Sequence, residues 1–138
     1  MSYDNENIFA KIIRGEFGCI KVYEDEKTIA FMDIMPQADG HTLVIAKESA
    51  ETLPELSDEG AAACIQTVKK IINAVKIAMN VPAATVLQLN GSEAGQTVPH
   101  IHFHVIPGSI LGAKSHAREM ADQEVLKGFA EKIIAALD

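Results

Sequence analysis

Residues Val98 to Gly108 read VPHIHFHVIPG, placing histidines at 100, 102 and 104. The whole chain of 138 residues has five histidines, so three at every second position is a concentration that composition does not explain. In an extended strand alternate side chains share a face. His100, His102 and His104 would therefore form one row of imidazoles, with Ile101, Phe103 and Val105 turned into a core. An imidazole titrates near neutrality and serves as nucleophile, proton donor or metal ligand. The plain alternative is a set of polar residues on a solvated sheet face. A metal site would need further ligands, and the next acid after His104 is Glu119, beyond a proline and two glycines, with His41 as a possible fourth nitrogen.

The preceding loop, NGSEAGQT from Asn90 to Thr97, favours the nucleophile. Gly91 and Gly95 allow close approach of backbone, and free N–H groups with the side chains of Ser92, Gln96 and Thr97 suit a cradle for phosphate oxygens. An anion held there would lie against a nucleophilic imidazole, which points to phosphoryl or nucleotidyl transfer through a phosphohistidine-type intermediate.

The elements that must position this row are legible around it. NENIFAKIIRGE puts Ile8, Phe9, Ile12 and Ile13 on one face of a short helix, with Asn5 or Asn7 as cap and Gly15 past its end. IKVYEDEKTIAFMDIMP reads as a hairpin stopped by Pro36, and HTLVIA from His41 as a third strand. Ser57, Asp58 and Glu59 open a long core helix in which Ile65, Val68, Ile71, Ile72, Val75 and Met79 recur up to Asn80. ATVLQLN and HIHFHVIP supply the last two strands. Val125, Leu126, Phe129, Ile133, Ile134 and Leu137 mark a C-terminal helix. The expected fold is α+β, one domain over residues 1–138, with a five-stranded antiparallel meander and its helices packed to one side. Residues 108–138 form its terminal loop and helix.

Composition narrows the function. A net charge of -7 with dispersed lysines argues against a nucleic-acid binder. No apolar run approaches a membrane span, and Asp4 and Glu6 fall where a signal peptide needs basic and then apolar residues, so a cytoplasmic protein is expected. Cys19 and Cys64 are read as reduced, structural thiols.

The motif His100-Ile101-His102-Phe103-His104-Val105-Ile106, together with IFAKIIRGE, VYEDE, AFMDIMPQADGHTLVIAK and AGQTVPH, resembles the histidine-triad (HIT) nucleotide hydrolases and transferases. The resemblance runs from about Asn7 to Pro107. It implies a HIT-like fold and a homodimer that cleaves a nucleoside 5′-monophosphate, AMP or GMP, from a phosphoramidate or similar leaving group. The resemblance makes His102 the nucleophile, aimed by a hydrogen bond from its other ring nitrogen to the His100 carbonyl. His104 and His41 become supporting imidazoles holding phosphate oxygens. Gly95, Gln96 and Thr97 line the phosphate loop, and Asp33 accepts the ribose hydroxyls. Ile8, Phe9, Ile12, Phe31 and Ile34 form the purine slot, although by periodicity alone those five are ordinary core. Asn90 is the nearest polar residue to a family asparagine whose place Leu89 takes. Many bacterial members bind zinc through cysteines at the positions of Asn7 and Ala10, a histidine at that of Ser49, and His100. With three of those ligands replaced, no metal and no cofactor are expected. The tail after Pro107, including His116, departs from a better-known branch and leaves the leaving group open. The competing readings are a dinucleoside polyphosphate hydrolase and a nucleotide-binding interaction protein with incidental catalysis.

Overall fold

The structure, a computed structural model, describes residues 3–110 and 120–137. Helix α1, Ile8–Ile13, opens under the side chain of Asn7, which accepts from the Ala10 N–H. Strands β1 (Lys21–Glu24), β2 (Thr28–Met32) and β3 (Thr42–Ala46) follow as an antiparallel meander. A single 3-10 turn at Leu53–Glu55, which no periodicity announces, leads into α2, Asp58–Met79. This helix is capped by the Ser57 hydroxyl, carries Asp58 and Glu59 at its positive end, and stops at Asn80 in the left-handed conformation (φ 55°). Strand β4 (Ala84–Gln88), a 3-10 turn at Ser92–Ala94, strand β5 (His102–Pro107) and helix α3 (Gln123–Ala136) complete the chain.

The five strands form one antiparallel sheet in the order β1-β2-β3-β5-β4. The meander thus holds for the first three strands. The long α2 crossover carries the chain past the place of β5, so the last strand enters between β3 and β4. Both faces of the sheet are covered, which refines the expectation of helices on one side only. On one face α2 and α3 pack on Ala30, Met32, Val44, Ala46, Phe103 and Val105. On the other, α1 brings Phe9 against Ile29, Phe31, Leu43 and Ile45. For that reason β2 and β3 are buried at every position, and alternation in them separates two apolar environments rather than core from water.

The helices bury narrower stripes than their apolar residues suggest. Ile65 on α2 and Val125 and Ile134 on α3 are exposed, whereas Val68, Ile71 and Val75 share one buried cluster with Ala130 and Ile133. Gly40 ends the β2–β3 connection at φ +88°, where a Cβ would stand 2.7 Å from Met79 Cγ. The glycine lets the chain turn hard against α2 and enter β3 with His41 already inside. Among the described residues no helix is long and apolar enough to cross a membrane. His116 lies outside the described residues.

Candidate functional site

Between α1, the β2–β3 connection and the cavity-facing side of β5 lies a pocket of about 590 Å³. Strand alternation builds its floor. In register with His104 stand Leu43 on β3 and Leu87 on β4, and opposite His102 stands Ile45. His102, His104, Leu43 and Leu87 all line the cavity. One wall is apolar, formed by Ile8, Phe9, Ile12, Phe31 and Ile34. Gly95, Thr97 and Asp33 also line the cavity.

The hydrogen bonds fix which ring nitrogens carry protons. His102 Nδ1 lies 2.6 Å from the His100 carbonyl oxygen, which can only accept. Nδ1 therefore bears the hydrogen, and Nε2 keeps its lone pair on the cavity side. His41 Nδ1 accepts from the Gln37 N–H at 3.0 Å, so its proton sits on Nε2, which donates to His104 Nδ1 at 3.0 Å and leans toward Asp33 Oδ2 at 3.4 Å. His104, with Nδ1 accepting, must carry its proton on Nε2. Two neighbouring imidazoles, 5.0 Å apart by ring centroids, thus differ in character: His102 presents a lone pair and His104 an N–H.

Burial enforces neutrality. Desolvation first, with repulsion between the imidazoles second, holds His41 down at about 3 and His104 at about 4. Desolvation likewise takes His100 to about 4 and lowers His102, against which the acceptor carbonyls of Ala46 and His100 pull upward. Burial raises Asp33 to about 6, offset in part by the Met35 N–H that its Oδ1 accepts.

Asp33, His41 and His104 could in principle hold a cation, since one donor atom from each lies within 4.8 Å of the others. The protonation pattern opposes it. With Nδ1 engaged by Gln37, a ligating His41 Nε2 would have to surrender its proton and become an imidazolate. The three groups form a hydrogen-bonded relay instead.

Four residues expected at the site sit elsewhere. His41, 1% exposed with both nitrogens used, lies behind His104 and cannot touch a phosphate. His100 is not part of the strand. The chain bends through residues 98–100 and β5 begins only at His102, so the His100 ring turns inward, its Nε2 donating to the Ala46 carbonyl at 2.6 Å. Gln96 is spent on the loop itself: Oε1 accepts from Gly91 N, and Nε2 donates to the carbonyls of Glu51 and Val98. Asn90 faces away, as the alternation that turns Leu87 and Leu89 inward requires, and its Oδ1 accepts from Leu53 N. Of the loop, Gly95 and Thr97 remain on the cavity.

The HIT domain family matches residues 14–110. This chain belongs to the histidine-triad (HIT) family. Over 100 residues, spanning 72% of each chain, it is 45% identical to the adenosine 5′-monophosphoramidase hnt1 of Schizosaccharomyces pombe. It is 40% identical over 103 residues, 75% of this chain and 52% of the other, to the adenylylsulfatase HINT3 of Arabidopsis thaliana. The solved structure of a Hit-like protein from Bartonella henselae, described as involved in cell-cycle regulation, superposes with a TM-score of 0.93 at 47% identity, covering 99% of this chain and 100% of that one.

In this HIT protein the residues at the family's zinc position do not suit a metal. The Asn7 amide donates to the Tyr3 hydroxyl, which bonds His100 Nδ1. The nitrogen of His100 that faces those positions is thereby occupied by a protein donor. Sequence reasoning also missed several cavity residues: Phe17 to Cys19 after α1, Gln37 in the β2–β3 connection, and Leu43, Leu87 and Leu89 on the floor. Leu43 and Leu87 follow from strand register once His104 is placed, whereas the first four belong to irregular segments with no period to read.

Proposed function

We propose that this HIT protein is a hydrolase that cleaves a nucleoside 5′-monophosphate from a phosphoramidate or similar leaving group, working through a nucleotidyl-His102 intermediate. The observation that carries this reading is the tautomer of His102, whose lone-pair nitrogen faces a cavity of nucleotide size beside the N–H of His104. The His102 Nε2 attacks the α-phosphorus, a P–N bond forms, and the bond to the leaving group breaks as that group takes a proton from solvent. The positive charge that develops on the ring is shared with the His100 carbonyl through Nδ1–H, and the His104 N–H bonds a phosphoryl oxygen as its charge grows. Water then attacks phosphorus and gives one proton back to solvent in place of the one the leaving group took, the P–N bond breaks back to His102, and the monophosphate leaves with the other. His41, its Nδ1 held by the Gln37 N–H, keeps His104 in the donor form. The names of the phosphoramidase and adenylylsulfatase relatives support hydrolysis at an adenylyl phosphorus.

Rapid mixing with adenosine 5′-phosphoramidate, acid-free quenching and intact mass spectrometry test the reading. A transient adenylyl adduct that persists in chelator-treated protein is expected; turnover with no adduct under single-turnover conditions would overturn it.

The apolar wall receives the base, and Asp33 accepts the ribose hydroxyls. Asp33→Asn is expected to raise KM about tenfold, worth about 1.4 kcal/mol, with kcat changed much less. A 2′-deoxy substrate should show the same loss on the wild type and little further loss on the variant. Equal KM values for ribo- and deoxyribonucleotide would remove Asp33 from this role. We further read the chain as one cytoplasmic domain acting as a homodimer; for the pairing, β4 offers an open sheet edge with Val86 exposed on it.

A further inference from the structure

We infer that Tyr3 is a positioning residue for the nucleophile, acting through His100; this rests on the proposed role of His102. Tyr3 lies outside the family match, which begins at residue 14, and nothing in its spacing marks it. Its hydroxyl reaches across the fold to His100 Nδ1 and in turn accepts from the Asn7 amide. Because His100 Nε2 must donate to the Ala46 carbonyl, Nδ1 is an acceptor and the Tyr3 O–H is the donor. The His100 ring, wholly inaccessible to solvent, is thus held at both nitrogens, with the edge of the Tyr3 ring against it (5.6 Å between centroids, 72°).

What this clamps is a backbone carbonyl that lies outside the strand, in a peptide whose Ile101 N–H donates to the Ala50 carbonyl at 2.9 Å and whose other side the His100 ring secures. His100 precedes β5, and its own N–H closes only a tight turn onto Val98 O at 2.8 Å. Its carbonyl is the sole acceptor of His102 Nδ1–H among the described residues, so the tautomer of the nucleophile depends on where that carbonyl points. The continuous chain runs Asn7 amide, Tyr3 hydroxyl, His100 ring, His100 carbonyl, His102 ring. Asn7 also caps α1, whose Phe9 sets its edge against the His102 ring at 5.0 Å and 87°. One short N-terminal segment therefore fixes the ring from two sides. Where zinc-bearing relatives are expected to hold a cation, this chain uses a phenol and an amide.

Tyr3→Phe keeps the ring packing and deletes the donor. A second variant, Asn7→Asp, retains the helix cap but offers the phenol an acceptor, drawing its proton away from His100. Both are to be compared with wild type as full-length protein, by kinetics on adenosine 5′-phosphoramidate and by two-bond ¹H–¹⁵N correlation spectra of the histidine rings, which report tautomers without turnover. The expected result is a fall in kcat on the order of tenfold with KM within about twofold, accompanied by loss of the pure Nδ1–H signature of His102. The inference is overturned if that signature stays wild-type in both variants, even if kcat or thermal stability falls, since Tyr3 would then be only a packing residue. If wild type forms no nucleotidyl adduct, the proposed chemistry fails, while the spectra still decide whether Tyr3 sets the tautomer.

Discussion

Replacing His102 by Gly is expected to lower single-turnover cleavage of a nucleoside phosphoramidate by about 10³–10⁴-fold, the scale on which loss of a covalent nucleophile is felt. Nucleotide affinity should change only a few-fold, because Asp33, the apolar wall and the His104 N–H are untouched. The adduct should vanish with the rate. The deletion also opens a space beside Phe9 and His104 in which free imidazole can sit. Added imidazole should therefore restore part of the activity, with nucleotidyl imidazole appearing as a product. Binding titration and product analysis check both halves, and a variant that keeps more than about a tenth of wild-type turnover would place the nucleophile elsewhere.

Resistance to denaturant is expected to fall steeply as pH drops from about 6.5 to 4. The imidazoles of His41, His100 and His104 have folded-state values near 3, 4 and 4 against an ordinary 6.5, because they are buried as neutral groups with every nitrogen's role assigned. Between those limits the unfolded chain takes up protons that the folded chain refuses. The stability present above pH 6.5 is then lost as pH falls toward the folded values. At about 1.4 kcal/mol per unit, His100 and His104 each account for roughly 3 kcal/mol. Asp33 works in the opposite sense: raised to about 6 from 3.8, it favours the folded state below pH 4 and loses that contribution as pH rises through 6. One carboxyl offsets only part of three imidazoles. Urea unfolding at pH 7, 6, 5 and 4 should show the midpoint falling with little change in slope. A midpoint that held steady or rose on acidification would mean that the imidazoles already carry protons in the folded protein.

Much of the architecture could be read from periodicity. The Ser57 cap, the stop at Asn80 and the apolar steps between them place α2, and the Asn7 cap places α1. Strand alternation correctly puts His102 and His104 on one face with Phe103 and Val105 on the other. The pattern failed at His100, read as the first residue of the last strand: the chain after Pro99 joins the ladder only at His102, and a row of three imidazoles becomes a pair above a clamp. The order of β4 and β5 was not legible, because adjacency in a sheet depends on which edge a long crossover reaches, and α2 leaves no mark of that in composition. The depth of His41 was not legible for a related reason. Its position just before β3 is clear, but its depth is set by Gly40 turning against Met79, a contact across the fold. Tyr3 is the extreme case, since a single tyrosine near a terminus has neither period nor motif.

The position of β5 also shapes how the molecule is made. Pairing Val44 with Phe103 joins residues about 60 positions apart, and closure over such distances belongs to the slow, non-local end of folding, on the scale of milliseconds to seconds. On a ribosome adding about 5–20 residues per second, the edge of β3 waits roughly 3–12 seconds for its partner. That edge, TLVIA, is apolar on both faces and open to other chains meanwhile. The strand bearing His102 and His104 is thus also the one that ends the period of greatest vulnerability to aggregation. A substitution that delays its insertion would lower the yield of folded molecules without altering any rate constant of the finished protein.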